Sequence, residues 1–272
     1  MVEALQFEFM RNALMAGFIA SIICGIIGTL VVVNRIVFLA GGIAHAAYGG
    51  IGISFFFGLP YIAGILGFSL LSSFIMAGIT LKSKNRTDTF IGVLWAVGMA
   101  LGVLLLDLKE GYNVDLMSYL FGSILTVPQS ELWMMFLLGT AILAAVVYFY
   151  YDFLAMSYDD EFAKLRGVPV NFLYFVLLGM IAVSVVMIIR VVGLILLIAL
   201  LTIPPYIAEK YTRSLSMMMV LSSMLSILFT ITGLWFSYSF NLTSGAAIIM
   251  VAAAGFFVFM LIDRILAVIH LK

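Results

Sequence analysis

Charge is what this sequence has least of: Asp, Glu, Lys and Arg make up 10% of its 272 residues, while 65% are hydrophobic and the mean hydropathy is +1.26. A soluble domain carries roughly a quarter charged residues, so a globular protein folded in water is excluded. The thirteen basic and thirteen acidic side chains cancel. That leaves no basic field for nucleic acid, and none is expected as a partner. Cysteine is nearly absent: Cys24 stands alone inside the first apolar run, which rules out a disulfide framework. Also missing are HExxH, GxSxG and the Gly-rich phosphate loop ending in Lys-Ser/Thr, so neither catalysis nor nucleotide binding is expected of this chain. The N-terminus has Glu3 and Glu8 where a secretory leader would have a basic region, so the first apolar segment is expected to be retained.

What is present is apolar length. Runs of spanning size fall at about 10–33, 36–58, 60–81, 89–108, 130–151, 170–189, 191–207, 214–236 and 244–264. The run at 191–207 is short and reads either as a span or as a re-entrant segment. The composition therefore predicts an all-α, polytopic helical membrane protein with about 8–9 transmembrane helices, 1–272 forming a single transmembrane domain in a cell (inner) membrane. Placing the N-terminus outside puts Arg35, Lys82, Lys84, Arg86, Lys164, Arg166, Lys210, Arg213, Arg264 and Lys272 inside, and only Arg11, Lys109 and Arg190 outside. This orientation, N-terminus out and C-terminus cytoplasmic, obeys the positive-inside rule.

Two links are more than connectors. Asp115 to Leu125 is amphipathic and too short to span, so it lies in the interface or re-enters. The link around 155–168 is the most polar segment of the chain. Asp159, Asp160 and Glu161 precede Lys164 and Arg166, an order that complements a helix dipole, and Gly167 and Pro169 terminate the segment. It reads as a short helix with an apolar edge at Phe162 and Leu165.

One ionisable group is sunk in the apolar runs. His45 lies in the charge-free stretch from Ile36 to Leu81; nine helical rises from Ile36 carry it roughly 14 Å, about half of a ~30 Å hydrocarbon core. Gly41, Gly42, Tyr48 and Gly49 stand three or four residues from it, on its side of a helix. Two readings are open: a packed histidine bonded to a carbonyl, or a group lining a pathway. Ser54, Thr202, Asn241 and Thr243 are further polar candidates along such a pathway. Seventeen methionines, including Met217, Met218 and Met219, read as packing rather than as soft-metal ligands. Pro204-Pro205 marks either a hinge or the end of a helix.

Six pieces in order resemble the permease subunits of bacterial ATP-binding-cassette importers for zinc, manganese and iron. They are Phe38-Leu-x-Gly-x-Ile-Ala-His45-Ala, Asp88-x-x-Ile-Gly-Val-Leu94, Asp115-Leu-x-Ser-Tyr-Leu-Phe-Gly-Ser-Ile-Leu125, Asp160-Glu-Phe-Ala-x-x-x-Gly-Val-Pro169, Val192-Gly-Leu-x-Leu-x-Ile-Ala-Leu-Leu-x-Ile-Pro204 and Asn241-Leu-x-Ser-Gly-Ala246. The resemblance implies a fold like that of the cobalamin importers (type II) and a non-catalytic permease working as a homodimer. It also implies two copies of a cytoplasmic ATPase, an external substrate-binding protein, and a divalent metal ion as transported cargo with no permanently bound cofactor. It places His45, Gly41, Tyr48, Gly49 and Asn241 along the translocation pathway, with His45 meeting the metal. Asp160, Glu161, Phe162, Lys164, Leu165 and Gly167 would form the element that couples to the ATPase. The sequence departs from the family at two positions: Gly41 and Asn241 stand where relatives commonly carry Asp. Two alternatives are kept beside this reading: the same architecture carrying a non-metal solute, and a secondary transporter driven by an ion gradient, although that class normally uses buried acids that this chain lacks.

Overall fold

The computed structural model describes residues 6–82, 86–109, 122 and 124–270, apart from the side chains of residue 190 and of 266–270. Among the described residues nine helices are long and apolar enough to cross a membrane. They are α1 (Glu8–Val33), α2 (Val37–Phe57), α3 (Tyr61–Lys82), α4 (Thr87–Asp107), α5 (Gln129–Tyr148), α8 (Val170–Val192), α9 (Leu194–Tyr211), α10 (Leu215–Phe240) and α11 (Ser244–His270), with the short helices α6 (Tyr150–Tyr158) and α7 (Asp160–Leu165) between α5 and α8. A 3-10 turn, Ile124–Thr126, precedes α5. The amphipathic piece from Asp115 lies outside the described residues except for its last part.

The helices end where the sequence supplies a terminator. Gly58 closes α2 at φ +67, and Gly193 separates α8 from α9 at φ +82, which lets the chain reverse with no added residues. Arg35 does the same between α1 and α2 without being glycine. At φ +57 its peptide lets Ile36 N–H reach the Val31 carbonyl at 3.0 Å, a Schellman closure. Consecutive spans alternate in direction, so the links at 34–36, 82–87, 149–169 and 211–214 gather at one end, called here the charged end. The remaining links form the opposite end.

Two alternatives left open by the sequence are decided. The run at 191–207 is no re-entrant stub: α9 runs for 18 residues to Tyr211. Nor does Pro204-Pro205 end that helix, which continues two turns beyond. The prolines remove the donors for the Leu200 and Leu201 carbonyls. The opened turn is enclosed by protein, as a membrane requires. A Cβ built at Gly28 of α1 would fall 2.6 Å from the Leu201 carbonyl oxygen and 2.8 Å from the Pro205 ring, so α1 lies directly on the opened turn.

The core is made by α1, α2, α8 and the first part of α9, most of whose residues are buried. By contrast α4, α5 and α11 keep most of their surface outside the bundle.

Candidate translocation site

The site is set by the way α2 is wedged between its neighbours. Five glycines in one helix would each cost up to about 1 kcal/mol relative to alanine, and here three of them are used for backbone contact. A Cβ at Gly52 would lie 2.6 Å from the Gly102 oxygen of α4, one at Gly49 2.9 Å from the Gly98 oxygen, and one at Gly50 2.7 Å from the Gly64 oxygen of α3. With its backbone clamped on two sides, α2 has no freedom to roll, and the direction of His45 is fixed.

His45 is aimed at α4. Its imidazole lies flat on the Trp95 indole, ring centroids 3.8 Å apart and planes 16° from parallel. Trp95 continues to Phe38 at 6.1 Å, and its indole N–H points at the Met99 sulfur, 3.2 Å away. The imidazole is half-buried, yet Nδ1 is fully enclosed and has no hydrogen-bond partner. The packed, carbonyl-bonded histidine is therefore not what this geometry shows. A buried unpaired nitrogen costs roughly 1–3 kcal/mol, and such an orphan calls for a specific explanation.

At the charged end a cavity of about 580 Å³ opens between the α1–α2 and α3–α4 links and the α6–α7 corner. Phe38 and Ile91 form its inner wall, and Asp88, Asp159, Glu161 and Arg35 rim it. Phe38 is also the last ring of the His45–Trp95–Phe38 series, so the aromatic series ends at the cavity.

The other expected pathway residues are not gathered at His45. Gly41 opens toward α9, where a Cβ would meet only Ile198 Cδ1 at 3.9 Å. Tyr48 is 3% exposed, with its backbone and ring against Gly102, and Gly49 is occupied with Gly98 and Phe68. Asn241 caps α10 in the left-handed region at φ +54 and is exposed at the opposite end. Because α10 packs on α1, α9 and α11, while α2 packs chiefly on α3, α4 and α8, the structure does not bring Asn241 to His45 within one chain. Ser54 donates to the Tyr61 carbonyl at 3.2 Å, Thr202 to the Ile198 carbonyl at 2.8 Å, and Thr243 is exposed. Among the described residues no three His, Cys, Asp or Glu side chains stand close enough to hold a metal ion.

The charged corner folds as its sequence dictates. Asp159 caps α7 by accepting the Glu161 and Phe162 N–H groups at 3.1 and 2.9 Å. Lys164 pairs with Asp160 at 3.2 Å one turn away, Arg166 lies over the Phe162 ring at 5.1 Å, and Gly167 at φ +83 ends the turn. Ala163 is fully buried, whereas Phe162 is 53% and Leu165 86% exposed. Two apolar side chains are thus held outward on a rigid, capped turn. Asn34 fixes this corner to the bundle by donating to the Ser157 hydroxyl at 2.9 Å and the Leu30 carbonyl at 2.8 Å. Sequence reasoning passed over both Asn34 and Trp95. The one available signal for Trp95 was depth: it stands eight residues into α4, as His45 stands eight into α2.

These features define a multi-pass helical membrane protein with transporter architecture. The model of the ABC 3 transport family matches residues 6–263, and the chain belongs to that family. It is 49% identical over 258 residues to an uncharacterised membrane protein of Synechocystis sp., covering 95% of this chain and 92% of that one. It is 33% identical over 254 residues to the manganese transport system membrane protein MntC of Listeria monocytogenes, covering 93% and 90%. Among solved structures it is similar to PsaBC from Streptococcus pneumoniae in complex with Fab, at a TM-score of 0.85 and 32% identity over 95% of this chain and 93% of that one.

Proposed function

We propose that this chain is the membrane-spanning subunit of an importer for a divalent metal ion, with manganese the favoured cargo. Two copies form the pathway, a separate cytoplasmic ATPase drives it, and a binding protein outside delivers the ion. The observation that carries this is His45, an imidazole at mid-membrane depth with a buried ring nitrogen left unbonded. Lipid offers such a group nothing, whereas a divalent cation is a natural guest for it. The family match over nearly the whole chain and the relatives named for manganese transport support the cargo. In liposomes containing the chain with its ATPase and supplied with binding protein, manganese uptake should depend on ATP. It should fall to background in His45→Ala, with assembly intact. Full uptake by His45→Ala retires the reading.

The charged end is cytoplasmic and α7 is the docking element. An interface of this size draws affinity from a few apolar anchors while charges set register, and Phe162 and Leu165 are the exposed anchors. Buried Ala163 is a poor crosslinking position. A cysteine at Leu165 should crosslink to the ATPase and stay unreactive to a membrane-impermeant thiol reagent added outside, and Phe162→Ala should lower transport-coupled ATP hydrolysis. External labelling at Leu165 overturns the orientation and the docking role together.

A further inference from the structure

We infer that Trp95 is the gate on the cytoplasmic side of His45, closing the route from the imidazole to the inner cavity in the conformation seen here. The inference rests on the metal-permease reading of His45 and adds a residue to it.

Three observations carry it. His45 and Trp95 are each eight residues into helices that start at the charged end, so their Cα atoms share a depth of about 12 Å. The ring order sets the indole toward that end, because it contacts both the imidazole at 3.8 Å and Phe38, seven residues nearer that end on α2, at 6.1 Å. Helical side chains lean toward their N-terminus, and both rings therefore tilt toward that end. The indole covers one face of the imidazole at 3.8 Å and is nearly parallel to it. Below Trp95 there is no further polar floor: the next ring is Phe38, at 6.1 Å, and Phe38 and Ile91, one turn before Trp95, are already cavity wall. An ion leaving His45 for the cavity thus meets the indole first and then the Phe38 and Ile91 side chains that wall the cavity.

The closure is also built to move. Backbone contacts at Gly49–Gly98 and Gly52–Gly102 hold α2 and α4 together on the far side of the site, but Trp95 itself is half-buried and held by a stack and one weak contact to sulfur. A stacked aromatic pair contributes little beyond its area, which suits a ring that swings away in each transport cycle. Stacking uses only the face of the imidazole and makes no bond to Nδ1, which is enclosed and without a partner in this conformation.

Two measurements test this in the reconstituted complex. The first is manganese entry into dye-loaded liposomes without ATP. Trp95→Ala should raise it by about five- to tenfold, the shift expected when one stacked contact leaves the closed state. Trp95→Phe, which keeps a ring over His45, should stay near the parent. The second stands even if Trp95→Ala fails to assemble. Trp133→Phe with Trp235→Phe removes two exposed tryptophans and leaves Trp95 as the only fluorophore of its kind in the permease. With unlabelled partner proteins made free of tryptophan, manganese should quench it saturably, and His45→Ala should abolish the quench. A quench that persists in His45→Ala, or no quench in a complex that still transports, removes the gate. If His45→Ala abolishes uptake while Trp95→Ala assembles and does not leak, the metal pathway stands and the gate falls. If no metal is carried at all, both fall.

Discussion

Two helix seams in this molecule use the same device for different ends. Between α1 and α10, a Cβ at Gly25 would meet the Ser223 nitrogen at 2.5 Å and one at Gly17 the Thr230 methyl at 2.7 Å. Between α2 and α4, glycines meet backbone just as closely. The polar groups distinguish them. In the first seam Ser21 and Thr230 share a hydrogen bond of 3.0 Å, and Ser223 donates to the carbonyls of Met219 at 2.8 Å and Ile22 at 3.3 Å. In the second, the polar group at the contact is an imidazole with a nitrogen left over. Close helix approach in a membrane is therefore a packing statement. The Ser222 and Ser226 hydroxyls of α10 are also buried without a partner, so an unsatisfied polar atom alone does not mark function; an unsatisfied ionisable group at mid-membrane depth does.

Breaking the first seam should give the largest change. Gly25→Leu puts a branched side chain where even a Cβ clashes with Ser223 backbone, and neither helix backbone can yield locally. Destabilisation at or above the top of the ~1–3 kcal/mol range for overpacking is expected, read as lost thermal stability of the purified chain in detergent. His45→Ala makes the contrast sharp, since it should remove transport while leaving the melting temperature close to the parent's: the deleted group had an unbonded nitrogen to begin with. A melting temperature that falls as far as that of Gly25→Leu would make the α2–α4 seam a scaffold like the other. A smaller effect is expected inside the first seam. In a cycle of Ser21→Ala and Thr230→Val, the coupling energy should be about 0.6 kcal/mol, the average for interhelical hydrogen bonds in membranes, with transport unchanged.

The extent of each span was legible because it depends on local apolar length alone, as was α7, whose cap, charge order and terminating glycine all lie within ten residues. What lay beyond reach was which helix each face meets. Gly41, Gly42 and Gly49 all stand within one turn of His45, but at roughly 100° per residue Gly42 and Gly49 fall on one flank and Gly41 on the other. The sequence gives the two flanks equal standing. Only the placement of α4 against Gly42 and Gly49, and of Ile198 in α9 near Gly41, separates them. Trp95 was hidden for the same reason: its partner is fifty residues away on a helix whose adjacency is a tertiary fact. Pro204-Pro205 was ambiguous because a proline pair ends a helix in isolation, and it continues here because α1 covers the opened turn.

The smallest expected effect, and the one that best resolves the two flanks, is at Gly41. A methyl group there meets only Ile198 Cδ1 at ordinary contact distance, so Gly41→Ala should change stability by no more than about 0.5 kcal/mol and gain slightly from the better helix former. The same substitution at Gly42 would drive a Cβ to 2.5 Å from the Ile91 side chain and should be clearly worse. Gly41→Asp then asks what the open flank is for. If it faces the pathway, water or cargo can solvate the carboxylate, the protein should fold, and uptake should shift in preference among manganese, zinc and iron because a second donor now stands one turn from His45. If that flank is sealed against α9, the same change buries an unpaired charge, and the chain should lose stability with its selectivity untouched. Competition between metals for uptake, measured beside the melting temperature, distinguishes these outcomes and shows whether the open flank belongs to the pathway that His45 occupies.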